Sequence, residues 1–296
     1  MRSYFKAVVR PNFNCLMNMI PGKKPLGEYF RVFKDSLLPN KQIFANIVII
    51  MTTKCTLRCE NCNNLMPYYH SPYHIPSEQL ISDIRAFLDN IDTCVKLSLL
   101  GGEPFIYPEL TTVIDAVIDH PAVMYLSLTT NGTVIPDEEV MKRLRHRKIV
   151  LHISDYGVST QKIPQLIEIL KGQNIRYTHK KDTDWVVPGG TKYRGKSKEQ
   201  LKIEYNNCYS SRYCGTMLNG KMYLCARGAH LTDLGFMDEP HDWFDIRKKR
   251  TAKEFQQQFK EFYLSDYAEA CNYCDHGLKI SVKAGVQTDK ILEPDG

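Results

Sequence analysis

Apolar runs alternate with amphipathic stretches between residues 46 and 178 of this 296-residue chain. Five short runs rich in Ile, Val and Leu predict buried strands at 46–51, 95–100, 123–129, 148–153 and 175–178. Apolar residues at helical spacing predict helices at 78–90, 110–119, 137–147 and 163–171. Such alternation is typical of parallel strands joined by crossover helices. The pattern therefore predicts an α/β fold, a partial TIM-like barrel of about five to six parallel strands.

The sequence on either side of this region has a different character. Residues 1–44 contain several prolines and predict an irregular lead-in to a barrel at 45–180. Residues 181–205 combine a Gly-Gly pair with lysines, which is typical of a linker or a substrate loop. Residues 206–296 are rich in cysteine around a predicted helix at about 251–264, and we expect them to form a small C-terminal domain.

Composition and charge restrict the ligands and the cellular compartment that we expect for the protein. The net charge of +6 is mild, and the basic run at 247–250 precedes a helical pattern, so we interpret it as a solvated helix start rather than a nucleic-acid site. The sequence has neither a secretion-signal pattern nor an apolar run long enough to span a membrane. Ten cysteines without a secretion signal indicate a cytoplasmic protein that uses thiols for metal or redox chemistry.

Three cysteines stand directly after the first predicted strand, as Cys55-x3-Cys59-x2-Cys62. Three thiolates in one loop can hold three irons of a 4Fe–4S cluster and leave the fourth iron open. The alternative is zinc, but a structural zinc site usually has four ligands in paired knuckles, and no fourth ligand is nearby in sequence. The spacing therefore favours an iron–sulfur cluster with an open position.

Each later strand also ends in residues that suit ligand binding. The second strand is followed by Gly101-Gly102-Glu103-Pro104, where adjacent glycines allow close approach to the backbone and a carboxylate can accept from an ammonium group. The third and fourth strands end in short polar residues that can bond a ribose, namely Thr130, Asn131, Ser154 and Asp155. Together with the cysteine loop, these motifs resemble the radical SAM superfamily over residues 45–180.

The resemblance implies a cofactor and a way to start a reaction. In that family the open iron binds the amino and carboxyl groups of S-adenosylmethionine (SAM), and one electron cleaves the C5′–S bond. The 5′-deoxyadenosyl radical then takes a hydrogen atom from the substrate. Carried over to this chain, Gly102 and Glu103 contact the methionyl amine, Gly101 belongs to the same cofactor-binding segment, and the polar strand ends bond the ribose. An external one-electron donor such as flavodoxin or ferredoxin is also implied.

A second group of cysteines lies in the C-terminal region. Cys208, Cys225, Cys271 and Cys274 resemble the ligands of twitch domains, the shortened form of the SPASM domains appended to some radical SAM enzymes. Gly220 stands four residues before Cys225, as in that pattern, and no cysteine follows Cys274. The resemblance implies a second, fully ligated 4Fe–4S cluster for electron transfer. A zinc site remains the alternative, because four cysteines with one Cys-x2-Cys knuckle also suit zinc.

The remaining cysteines divide into two kinds. Cys15 and Cys94 are interpreted as inert thiols, because a free buried cysteine behaves as a small hydrophobe. Cys214 lies between Cys208 and Gly220 and fits no ligand position. It is either a packed or alternative-ligand thiol or, as in radical SAM epimerases, a hydrogen-atom donor to a substrate radical.

Several reactions remain open at this point. Loss of a second electron and a proton would make the protein a dehydrogenase, as in twitch-containing relatives, with Arg227, His230 or His152 as a candidate base. Hydrogen donation by Cys214 would make it an epimerase. In both cases the expected substrate is a polar small molecule such as a sugar, an aminocyclitol or a sugar nucleotide, which the segment 185–194 would cover unless it is a linker. The alternatives are modification of a ribosomal peptide and a non-catalytic iron–sulfur scaffold.

Overall fold

The computed structural model describes residues 30, 32, 34–38 and 41–295, so Cys15 and most of the predicted lead-in lie outside the described residues. Ten strands are numbered in chain order: β1 (Ile43–Ile50), β2 (Thr93–Leu100), β3 (Val123–Thr130), β4 (Ile149–Asp155), β5 (Tyr177–Lys181), β6 (Asp184–Val186), β7 (Gly215–Leu218), β8 (Lys221–Tyr223), β9 (Trp243–Asp245) and β10 (Ser281–Lys283). Eight of them form one sheet in the order β5-β4-β3-β2-β1-β7-β8-β9, and β6 pairs with β10 in a separate two-stranded ribbon.

The α-helices of the described residues follow the strands. They are α1 (Ser77–Leu88), α2 (Leu110–Val117), α3 (Glu138–Leu144), α4 (Ile163–Gly172), α5 (Lys198–Asn207), α6 (Tyr209–Tyr213), α7 (Ala226–Asp233) and α8 (Ala252–Tyr263). The first four connect β1 to β5 as crossover helices, as the sequence predicts. Ser77 is the first residue of α1 and Pro76 occupies its N-cap, so the pattern placed that helix start to within one residue.

The sheet confirms the predicted α/β fold with mostly parallel strands. Strands β1 to β5 pair in parallel with their neighbours, and β7 adds a sixth parallel strand beside β1. Strands β8 and β9 then continue the sheet in antiparallel fashion. Segment 206–296 therefore extends the barrel sheet itself, whereas its division into a separate domain stays a prediction.

The two faces of the parallel sheet differ in the polar residues that they carry. Alternate residues such as Ile47, Leu97 and Leu126 are fully buried and pack with apolar residues of the crossover helices. On the other face Ser98 Oγ donates to Asn46 Oδ1 at 2.7 Å and lies 2.9 Å from Ser127 Oγ. The first face forms the core, and the second combines this polar cluster with buried apolar residues of β1.

Side-chain and backbone contacts also join the C-terminal region to the barrel outside the sheet. Arg247 forms a two-pronged ion pair with the buried Asp83 of α1, with both N–O distances at 2.8 Å. The basic run at 247–250 is therefore not wholly a solvated helix start, because its first residue anchors α1. Near the C-terminus, Glu60 N donates to Val286 O and Thr288 N donates to Arg58 O, both at 2.9 Å, so the tail lies against the first cysteine loop.

Within the described residues, no helix is both long and apolar enough to cross a membrane.

Candidate active site

The three cysteines of the first group line one cavity of about 660 Å³. Their loop follows β1 and is held against the loop after β2, where Gly102 N donates to Thr52 O at 2.9 Å and Glu103 N donates to Lys54 O at 3.0 Å. This approach requires glycine, because a Cβ on Gly102 would lie 2.0 Å from Lys54 O. The glycine pair thus sets the position of the cysteine loop, and both glycines also line the cavity.

Two sulfur atoms of the first cysteine group accept hydrogen bonds from nitrogen donors. Gln287 Nε2 donates to Cys59 Sγ at 3.1 Å, and Leu57 N donates to Cys55 Sγ at 3.5 Å. Burial raises the pKa of Cys55 to about 12 and the pKa of Cys59 to about 11. The protein alone therefore favours protonated thiols, and thiolates here require the positive charge of a bound metal centre. Donors aimed at buried sulfur fit a thiolate-ligated cluster.

Among the described residues, no group of three or more Cys, His, Asp and Glu side chains is arranged to hold a single metal ion. The preference for an iron–sulfur cluster over zinc at the first group rests on the spacing of its three cysteines in one loop.

Glu103 is buried against two residues that line the cavity, Thr130 and Asn131. Its carboxylate is fully buried and is not among the described residues that line the cavity. It accepts from Thr130 Oγ1 at 2.8 Å, from Asn131 N at 2.9 Å and from Phe105 N at 3.1 Å. Burial raises its pKa to about 7, although these hydrogen bonds oppose the rise. In this arrangement Glu103 ties the loop after β2 to the end of β3.

The four predicted ribose contacts divide into two pairs. Thr130 and Asn131 line the cavity, and Asn131 Nδ2 also reaches Thr56 Oγ1 at 3.0 Å in the cysteine loop. Ser154 and Asp155 are not among the described lining residues. Asp155 bonds His179 Nε2 at 2.9 Å and accepts from Gly157 N at 3.0 Å. The structure therefore brings the end of β3 to the cysteine loop, whereas Asp155 at the end of β4 bonds His179 and Gly157.

Charged and aromatic residues from β5, β6 and the turn between them also line the same cavity. They include Lys180, Asp182, Asp184 and Trp185, and Tyr156 packs edge-on against Trp185 with ring centroids 5.0 Å apart. The sequence singled out Trp185 as the start of a substrate cover, but it gave no signal for Lys180 or Tyr156.

The second cysteine group lies beside the first. Cys208, Cys225, Cys271 and Cys274 line a smaller cavity, which shares Asn63 and His276 with the larger one. Gly228 N donates to Cys225 Sγ at 3.3 Å, and burial raises the pKa of Cys225 to about 12. Arg227 also lines this cavity, and its buried Nη1 has no hydrogen-bond partner among the described residues. Four cysteines around an unpaired buried cation fit an anionic thiolate cluster.

The other candidate residues lie outside the described lining of the large cavity. Cys214 is bonded by Asn46 Nδ2 at 3.3 Å, and Cys94 is buried in β2. His230 is fully buried 2.8 Å from the Tyr69 hydroxyl, and burial lowers its pKa to about 3. His152 lies 2.7 Å from Thr178 Oγ1, and burial lowers its pKa to about 4. Both histidines are therefore neutral near pH 7.

Sequence comparison finds a family match for the region that contains the first cysteine group. Residues 49–178 match the sequence model of the radical SAM superfamily. A GTP 3′,8-cyclase of Campylobacter jejuni is 29% identical over 91 residues, which is 30% of this chain and 28% of the relative. A GTP 3′,8-cyclase of Aliarcobacter butzleri is 28% identical over 133 residues, 42% of this chain and 40% of the relative. The chain thus spans between about a quarter and two fifths of the length of these relatives.

Comparison of the fold finds solved radical SAM structures. Native anSMEcpe with bound AdoMet is 16% identical, with a TM-score of 0.49 over 80% of this chain and 84% of the other. BtrN in complex with AdoMet and 2-DOIA is 13% identical, with a TM-score of 0.46 over 85% of this chain and 98% of the other. Proteins of this superfamily use SAM and a 4Fe–4S cluster. From the match of residues 49–178, the chain carries a domain of the radical SAM superfamily.

Proposed function

We propose that this protein is a radical SAM dehydrogenase of a polar small molecule. One observation carries the proposal. A single cavity is lined by the three cysteines of the first group and by charged and aromatic side chains of β5 and β6, and it adjoins the cavity of the second cysteine group. A site for generating a radical, a site for a substrate and a site for an electron acceptor are therefore contiguous.

The chain's own residues would hold and orient the reactants. Cys55, Cys59 and Cys62 would ligate the first cluster, and Gly101 and Gly102 leave the backbone open beside it. Glu103 would fix the end of β3 through the hydrogen bonds that its oxygens accept from Thr130 and Asn131. When bound, the cluster and SAM supply a 5′-deoxyadenosyl radical that removes a hydrogen atom from a substrate C–H bond.

An alcohol that has lost this hydrogen atom must still lose one electron and one proton before it becomes a ketone. A cluster on the second cysteine group would supply an electron acceptor next to the cavity. Asp182 and Asp184 place carboxylates in the lining, where a carboxylate takes the hydroxyl proton. Asp182 is ion-paired with Lys180, whereas Asp184 accepts only a neutral hydrogen bond from Thr183 Oγ1 at 2.8 Å among the described residues, so Asp184 is the better proton acceptor.

Epimerisation is the less favoured outcome, and the position of Cys214 is the reason. A hydrogen-atom donor must contact the substrate radical. Cys214 is not among the described residues that line the cavity, and its sulfur accepts a hydrogen bond from Asn46. Dehydrogenation needs no such donor.

The lining also indicates the class of substrate. Carboxylates accept from hydroxyl and ammonium groups, and the rings of Trp185 and Tyr156 can cover the apolar face of a sugar or cyclitol. The volume lies within the range of about 300–1,000 Å³ that small-molecule sites occupy. We therefore place sugars, aminocyclitols and sugar nucleotides ahead of a ribosomal peptide. Because some relatives are named GTP 3′,8-cyclase, GTP belongs among the compounds to be tested.

The test uses the anaerobically reconstituted protein with SAM, dithionite and these compounds in deuterated water. Dehydrogenation predicts one 5′-deoxyadenosine per oxidised product, with no solvent deuterium at the oxidised carbon. An inverted product that carries one deuterium would refute dehydrogenation. Asp184→Asn should reduce product formation at least tenfold, whereas Asp119→Asn, at an exposed carboxylate on the surface beyond α2, should leave it unchanged.

A further inference from the structure

Arg227 is held rigidly beside the second cysteine group. Its side chain is 3% exposed, at the start of α7 and two residues after Cys225. Nε donates to Tyr273 O at 3.0 Å, and Nη2 donates to Gly189 O at 2.6 Å and also to Gly190 O. Three carbonyl oxygens thus fix the plane of the guanidinium group, which stays protonated in proteins.

The remaining nitrogen of this guanidinium, Nη1, is buried and has no hydrogen-bond partner among the described residues. The side chain lines the small cavity with the four cysteines. A buried donor that lacks an acceptor costs about 1–3 kcal/mol, so such groups usually face a ligand or a water. The cavity offers Nη1 the cysteine sulfurs and whatever they bind, together with polar side chains such as Asn63 and Ser210.

The charge of Arg227 also lacks a partner. Among the described residues it forms no ion pair within 4.0 Å, whereas nearby Arg194 pairs with Asp275 at 2.5 Å and Lys196 pairs with Glu204 at 2.6 Å. The buried carboxylate nearby, Asp242, accepts from the backbone N–H of Glu269 and of Ala270, both at 2.8 Å. Arg227 is therefore the one cation of this set that no carboxylate neutralises.

We propose that Arg227 is a positioning residue that donates to a cluster on the second cysteine group and raises its reduction potential. This inference rests on the proposed function, which requires that cluster. Reduction adds negative charge to a centre that four thiolates already make anionic, so a nearby cation stabilises the reduced form more than the oxidised form. A raised potential favours electron transfer from the substrate to this cluster. Arg227 would thus bias the outcome toward oxidation, and it is a hydrogen-bond donor rather than the base that its sequence position suggests.

The test measures the second cluster alone, in a full-length variant in which Cys55, Cys59 and Cys62 are all alanine. Adding Arg227→Met should lower the ratio of reduced to oxidised cluster at least tenfold at a fixed potential, a shift of about 59 mV for a one-electron couple. Arg227→Lys keeps the charge and should shift the potential by less than half as much. Arg176→Met, the same change at a partly buried arginine that bonds His146 O, should leave the potential unchanged.

If the Arg227 variants lose the second cluster, a measurement that leaves Arg227 unchanged still tests the proposal. Protein grown with ¹⁵N-arginine should show ¹⁵N hyperfine coupling in the pulsed EPR spectrum of the reduced second cluster. Absence of this coupling, or a potential that moves no further in Arg227→Met than in Arg176→Met, would overturn the inference. A triple-alanine variant that binds no iron would instead contradict the second cluster itself, and the proposed function with it.

Discussion

Gly102→Ala should displace the loop that carries the first cysteine group. An ideal Cβ at this position lies 2.0 Å from Lys54 O, 2.5 Å from Lys54 C and 2.7 Å from Cys55 Cβ. The first distance is about 1.4 Å short of ordinary van der Waals contact, which begins at 3.4 Å. Two of these atoms belong to the backbone, so a side-chain rotation cannot relieve the clash. The loop itself must move, and Cys55 must move with it.

The size of the effect follows from these contacts. Overpacking of this kind costs about 1–3 kcal/mol. Each of the two hydrogen bonds that join the loops, Gly102 N to Thr52 O and Glu103 N to Lys54 O, contributes about 0.5–1.5 kcal/mol. A total penalty of about 3 kcal/mol on the conformation in which Cys55 can ligate the cluster lowers the population of that conformation about 100-fold, since 1.4 kcal/mol is tenfold. We expect 5′-deoxyadenosine formation to fall by that factor.

Two assays and one control test this reasoning. Iron content should drop from about eight per chain, the value for two 4Fe–4S clusters, toward about four, because only the first site is disturbed. Anaerobic SAM cleavage with dithionite measures the activity. Gly172→Ala at the end of α4 is the matched control, since nothing lies within 4 Å of its added Cβ. Wild-type iron content with SAM cleavage within threefold of wild type in Gly102→Ala would refute the argument.

Three further predictions concern single side chains of the site. Gln287→Ala removes the donor to Cys59 Sγ and should lower the first-cluster potential by about 40 mV in an EPR redox titration, the equivalent of about 1 kcal/mol; an unchanged potential would contradict it. Burial raises the pKa of Glu103 from 4.5 to about 7, so the folded state holds the proton longer than the unfolded state. In urea unfolding, wild type should therefore lose up to about 3 kcal/mol relative to Glu103→Gln as pH rises from 4.5 to 7, and a pH-independent difference would oppose this. Cys214→Ala should retain SAM cleavage and product within twofold, because the thiol bonds Asn46 outside the cavity lining, and loss of product alone would restore the hydrogen-donor role.

Much of the parallel sheet could be predicted because most residues of its strands are buried. Strands such as β1 and β3 are buried almost throughout and appear in the sequence as continuous apolar runs. The partnership of β1 with β7 could not be predicted, because Gly215–Leu218 is short and lies far from β1 in sequence. Pairing between distant segments depends on tertiary packing and leaves no local pattern.

The candidate site also contains features that the sequence predicted and features that it did not. The cysteine spacing predicted that the first group shares one site, and its three cysteines line one cavity. The glycine pair was expected to admit a ligand, and in the structure the backbone of the cysteine loop approaches Gly102 closely. The contact of Glu103 with the methionyl amine stays a prediction, and its hydrogen bonds with Thr130 and Asn131 leave no local pattern in the sequence. Gln287 was missed altogether, since its contact with Cys59 crosses 228 positions and a lone glutamine in a tail carries no signal.

The central claim is that this chain cleaves SAM reductively at Cys55, Cys59 and Cys62. The direct measurement is 5′-deoxyadenosine released by anaerobically reconstituted protein with SAM and dithionite, followed by liquid chromatography. We predict at least one equivalent per chain from wild type, none from Cys59→Ala, and wild-type yield from Cys94→Ala, whose thiol is buried in β2. Iron-loaded wild-type protein that releases no 5′-deoxyadenosine would contradict the claim and favour a non-catalytic iron–sulfur scaffold.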